Sequence, residues 1–144
     1  MSKGNTFEND IVGLIFNATA IANIADNAAT SPLTSLYLAL HTADPGEAGN
    51  QTTSEATYTS YARVGIVRTT SGWTAPSGGA TSNVALAQFP QCTGGSNTIT
   101  YVSIGTASSG TGKILYSGAL NSSLSVSNLI QPQFSASALT VTED

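Results

Sequence analysis

The hydrophobic rhythm of the chain changes near residue 30. Phe7, Ile11, Leu14, Ile15 and Ala18 recur at three- and four-residue intervals, which predicts one apolar face of a helix. Asn5 or Thr6 can cap its start, and Glu8 with Asp10 suits the positive end of the helix dipole. A second short helical turn is expected over Thr19–Ala25. After Pro32 the period falls to two. Leu36-Tyr37-Leu38-Ala39-Leu40-His41 sets three leucines on one face, the clearest strand pattern in the chain. Tyr61–Arg68 opposes Ala62, Val64 and Ile66 to Tyr61, Arg63 and Val67. Further strands are expected around Trp73 and over 84–89, 98–104, 114–120, 124–129 and 139–141.

Between the first two strands lies a loop of residues 43–58, longer than the usual connection of about 4–6 residues. It opens on Asp44-Pro45-Gly46, where proline presets φ and glycine supplies a positive φ. Short strands, glycine-rich turns and no intervening helices predict an all-β fold. The expected arrangement is a single antiparallel β-sandwich or jelly-roll-like domain over 33–144, preceded by an N-terminal helical segment or arm over 1–32. Its core should hold Leu36, Leu38, Leu40, Val64, Ile66, and Phe89 or its neighbour Leu86. The helix either packs on that domain or docks on a neighbouring subunit; Phe7, Ile11 and Ile15 are the candidate interface residues.

Composition narrows the choice of partners. Charged residues are 8% of the chain, against about 25% in an average globular domain. The solvent-facing surface is therefore built from 19 Ser, 20 Thr and 14 Gly rather than from ions. Disorder needs low hydrophobicity and high net charge, and this chain has 40% apolar residues and a net charge of −4. Lys3, Arg63, Arg68 and Lys113 are scattered and form no basic patch, so nucleic acid is not an expected partner. The longest apolar stretch, Ile11–Phe16, is far shorter than the roughly 20 residues of a membrane-spanning helix. The first residues lack the long apolar core of a secretion signal, so the chain is expected to be made and left in a cytosol unless something larger exports it. Cys92 is the only cysteine, which excludes an internal disulfide.

Candidate chemistry is sparse. His41 is the only histidine, and no Gly-x-Ser-x-Gly turn surrounds any serine that it could activate. Cys92 has no nearby cation or helix start to lower its pKa. Asp44, Glu47 and Glu55 share the long loop without the alternating spacing of a calcium loop. Gly112-Lys113 is followed by Ile114 and a strand-like run, so the Gly105–Gly112 segment reads as a hairpin turn and not as a phosphate cradle. No catalytic residue, metal or cofactor is expected.

The stretch Leu36–Glu47 resembles the opening strand and loop of a family of small tailed-phage virion proteins. Tyr58-Thr59-Ser60-Tyr61-Ala62-Arg63-Val64, Gly72-Trp73, Ser103–Ala107 and Gly112–Leu120 are similar to the same family. Its members are commonly labelled tail-fibre proteins, and the resemblance covers the chain from about Leu33 onward. It implies a structural role in the virion and carries over no catalytic residue. A fibre shaft needs an elongating repeat, which this chain lacks. A compact domain of this size suits a capsid decoration or cement protein, which is the first expectation: a homo-oligomer bound to the major capsid protein. The alternative is a tail-fibre or tail-tip component contacting tail proteins. Tyr37, Tyr58, Tyr61, Trp73 and Tyr101 would then be available to stack on a receptor carbohydrate.

Overall fold

The computed structural model describes residues 5–21, 25 and 32–143. In chain order it has helix α1 (Asn5–Phe16) and strands β1 (Ser35–His41), β2 (Val64–Val67), β3 (Ala80–Ser82) and β4 (Ala87–Gln88). Strands β5 (Asn97–Gly105), β6 (Ile114–Val126), β7 (Gln133–Phe134) and β8 (Thr140–Thr142) follow. The fold is all-β with one short N-terminal helix, as the sequence pattern predicts. One four-stranded sheet has the order β2-β1-β5-β6, and two ribbons pair β3 with β8 and β4 with β7. The contacts gather the chain into two compact units.

The first unit takes the described residues up to Ser35 together with 66–86 and 134–143. Val12 and Phe16, one helical turn apart, are fully buried (0% exposed) and form the inner row of α1. Phe16 packs edge-on against Trp73, with ring centroids 4.7 Å apart. Helix α1 has no basic residue in its last turn. Arg68 supplies one from elsewhere, donating to the carbonyls of Leu14 (2.7 Å) and Ile15 (2.6 Å) and also to Leu33 (2.7 Å). A cation at this end satisfies orphan carbonyls and complements the dipole. Burial lowers the Arg68 pKa from its ordinary value. Asn83 is buried with its carboxamide fully used: it donates to Ala85 and Ser135 and accepts from the Leu139 amide. The second helical turn expected over Thr19–Ala25 lies partly outside the described residues. Ile21 and Ala25 instead exchange two backbone hydrogen bonds of 2.8 Å in an antiparallel bridge.

The second unit spans 36–65 and 87–133. β1 pairs antiparallel with β5, with Leu38 opposite Ile104 and Leu40 opposite Val102. Alternation therefore puts the three leucines on one face and Tyr37, Ala39 and His41 on the other. Leu36, Leu38, Leu40, Phe89, Ile99, Ile104 and Val126 are buried. The segments 114–120 and 124–129, expected as two strands, are joined in the single strand β6, which ends at Val126. Register against β5 jumps between Ile99↔Leu124 and Tyr101↔Ala119, so Thr100 alone faces residues 120–123. A bulge, not a turn, absorbs Asn121-Ser122-Ser123.

Of the expected core, the choice between Phe89 and Leu86 resolves to Phe89, and Val64 and Ile66, on the short edge strand β2, need correction. Phe89 is fully buried, whereas Leu86 is 51% exposed and Val64 and Ile66 are half-buried. The Asn83–Ala85 hydrogen bond curls the chain there, so residues 84–86 leave the strand pattern and β4 begins only at Ala87. Leu38→Ala should accordingly cost about 2–5 kcal/mol in urea unfolding. Leu86→Ala should stay within about 0.5 kcal/mol of the parent.

Candidate functional site

The long loop after β1 folds back on its own sheet. Asp44 accepts a hydrogen bond from the Gly46 amide (2.9 Å), and Gly46 adopts φ 69°, the turn that Asp44-Pro45-Gly46 predicts. The loop then inserts Gln51, fully buried, between two glycines. Its carboxamide donates to the Tyr37 carbonyl (3.1 Å) and accepts from the Ala107 amide (3.0 Å). A Cβ on Gly105 or Gly112 would overlap that carboxamide, which is why both positions are glycine.

The returning half of the loop carries Glu55, which pairs bidentately with Arg63 at 2.6 Å and 2.8 Å. The Arg63 side chain is 2% exposed and that of Glu55 16%. Arg63 also donates to the carbonyls of Ala107 (2.9 Å) and Gly110 (2.8 Å), fastening the β5–β6 turn. The hydrogen bond to Glu55 is the largest influence raising the Arg63 pKa. Tyr61 donates its hydroxyl to Glu55 (2.9 Å) and accepts from the Leu40 amide (3.0 Å). Burial raises its pKa far above the ordinary tyrosine range.

His41 sits beside this network and is fully buried. Its Nδ1 lies 2.8 Å from the Thr53 carbonyl, which can only accept, so Nδ1 carries the proton. Nε2 then accepts from the Ser103 hydroxyl at 2.8 Å. A base bonded to a serine is half of a nucleophilic pair. Ser103 too is 0% exposed, and the pair as built fastens β1 to β5 and to the returning loop. Asp44, close to His41 in sequence, bonds its own turn instead. Cys92 is buried, its thiol donating to the Gly94 carbonyl at 3.2 Å. Among the described residues no group of three or more His, Cys, Asp or Glu side chains converges on a metal position. Nor is any described helix long and apolar enough to cross a membrane.

An open groove of about 580 Å³ in this unit is lined by Asp44, Gly46, Glu47, Tyr101 and the consecutive residues 114–119 of β6. It gathers two of the three loop carboxylates, while Glu55 turns inward to Arg63. Of the aromatic residues expected as stacking surfaces, Trp73 and Tyr58 are buried, and Tyr61 is held in the Glu55 network. Burial, with Cys92 nearby, pushes the Tyr58 pKa up to about 12. Tyr37 and Tyr101 remain half-exposed. On α1, Phe7 is 39% exposed and Ile11 and Ile15 are half-buried, so this row lies beside the buried Val12–Phe16 row. Sequence periodicity did not single out Leu129 and Ile130, which are 68% and 41% exposed. Leu129 holds φ 71°, an unfavourable conformation for a leucine that the sequence does not announce.

Desolvation lowers the His41 pKa below its ordinary value of 6.5, opposed by the Thr53 hydrogen bond and Glu55 and aided by Arg63. The unfolded chain therefore binds this proton more tightly than the folded one. Stability from His41 is complete above about pH 6.5 and declines as pH falls toward the lower folded-state pKa. Thermal unfolding from pH 7.5 to 5 should show that decline, and His41→Gln should flatten the part between pH 7 and 6 while lowering stability throughout.

No curated protein matches the chain. A family model described as "Podophage GP4 fiber I protein gp80" matches residues 3–142, nearly the whole sequence. The match takes in both α1 and the strand set, and so extends the likeness read from Leu33 onward toward the N-terminus. The chain belongs to the podophage GP4 fiber I protein gp80 family and is a structural component of a tailed-phage virion.

Proposed function

We propose that this chain is a fibre component attached to the phage tail and that it works by binding alone. The family description carries the reading, because it names a fibre where sequence reasoning placed capsid decoration first. The internal chemistry agrees with it: His41, Ser103 and Cys92 are buried and hydrogen-bonded within the fold. A low-charge surface also suits repeated contact with other virion proteins, since interface cores are depleted of ions. Partners are accordingly tail proteins, with the major capsid protein as the competing attachment. The row Phe7, Ile11 and Ile15 supplies an anchor, because α1 packs on its own unit through Val12 and Phe16 and leaves Phe7 exposed and Ile11 and Ile15 half-exposed beside them.

Gold-labelled antibody on intact particles tests the location. Label confined to fibres at the tail vertex, at a few copies per particle, is the expected result. Uniform label over the shell at hundreds of copies would return the protein to capsid decoration. The anchor has its own test, replacement of Phe7, Ile11 and Ile15 by Ser. Each buried side chain contributes about 1.5–3 kcal/mol, so occupancy on particles should fall by more than about tenfold while the isolated protein still melts cooperatively. Full occupancy in that variant would exclude this row as the attachment.

A further inference from the structure

The two edges of the four-stranded sheet are built differently. β2, at one edge, is only four residues long. Very short edges resist pairing with another chain. β6, at the other edge, runs 13 residues without a charged residue or a proline. Residues 116–119 keep unbroken register with β5, from Ile104↔Tyr116 to Tyr101↔Ala119. Ser117, Gly118 and Ala119 are exposed, and a Cβ placed on Gly118 meets nothing within 4 Å. The groove of about 580 Å³ lies along 114–119, so there is room beside the strand for another extended chain.

Charge selects the occupant. Asp44 and Glu47 are exposed on the groove wall with Tyr101 and Ala119, which face each other across β5 and β6. An incoming strand should therefore be neutral along its length and basic at the end that reaches Ala119. This chain supplies such a strand itself: the uncharged 114–119, preceded directly by the exposed Lys113. Antiparallel pairing about a two-fold axis at position 116 brings Lys113 of one copy opposite Ala119 of the other. The axis repeats the match at both ends, as an isologous contact requires. We propose that the outer edge of β6 is a self-association site. There, residues 113–119 of two copies pair antiparallel and each Lys113 meets the other copy's Asp44 and Glu47. The site does not depend on where in the virion the protein is attached.

Sedimentation of the purified full chain tests the proposal. The parent should dimerise at micromolar concentration. Gly118→Lys, which the isolated fold accommodates without a clash, should raise the dimer Kd about tenfold or more with an unchanged circular dichroism spectrum. Lys113→Glu and Glu47→Lys should each weaken the dimer, and combining them should restore most of its affinity. A parent that stays monomeric at about 100 μM, in the Kd range of weak encounters, would overturn the proposal. So would a dimer indifferent to Gly118→Lys, or a charge swap no better than its single changes. Capture of a different virion protein at this edge by a monomeric parent would also overturn the second-copy assignment.

Discussion

The buried pair of Glu55 and Arg63 is the constraint on which the second unit depends. A chain with four basic residues commits one of them to a side chain that is 2% exposed. Such burial is costly unless the charge is paired and its donors bonded, and here at least four of the five N–H groups find acceptors. The guanidinium takes both carboxylate oxygens of Glu55 and the carbonyls of Ala107 and Gly110. Only the planar, many-donor head of arginine can serve a bidentate carboxylate and two carbonyls together; a lysine could not. Tyr61 then carries the network to the amide of Leu40 within β1. One ion pair thus joins the leucine strand, the returning loop and the β5–β6 turn.

What this frame holds in place is a loop and an edge. Gln51, wedged against Gly105 and Gly112, and the Thr53–His41–Ser103 chain keep the 42–56 loop against the sheet. The loop's acidic start then forms a fixed wall beside β6 instead of a wandering tether. A fibre component needs surfaces that keep their shape while neighbours bind, since ordering a loop on contact would subtract from affinity. Here the ordering is done by folding. The hydroxyl-rich surface adds little charge repulsion, so in the self-association proposed above contacts between copies would rest on backbone pairing and on a few placed charges.

How much of this could be read from the residues follows their range of action. The alternation of Leu36, Leu38 and Leu40 reports burial on one face directly, and all three are buried. Asp44-Pro45-Gly46 is local turn chemistry and behaves as such, and the Gly105–Gly112 run does lie in the connection between paired strands β5 and β6. Asn121-Ser122-Ser123 looks like a turn because those residues favour turns, yet strand pairing on both sides turns it into a bulge. Leu86 and Phe89 were equal candidates by pattern, and only the Asn83 hydrogen bonds separate them. The partners of His41 and Arg63 were not legible: Ser103 stands 62 residues from His41, and Ala107 44 from Arg63. Nothing in local spacing encodes such pairs. The inner row of α1 likewise depends on a distant partner. Periodicity favours Phe7, Ile11 and Ile15, while packing against Trp73 selects Phe16 and, one turn earlier, Val12. The family likeness, by contrast, is carried by strings such as Leu36–Glu47 that need no fold to be seen.

A double-mutant cycle on Glu55→Gln and Arg63→Met, followed by urea unfolding, addresses the ion pair most directly. Each single change is expected to cost about 3–5 kcal/mol, because each leaves a buried partner uncompensated. The double variant should cost clearly less than the two combined, with a coupling in the upper part of the range of about 0.5–3 kcal/mol. Additivity within about 0.5 kcal/mol would show that the two side chains act independently and that the frame is held by something else.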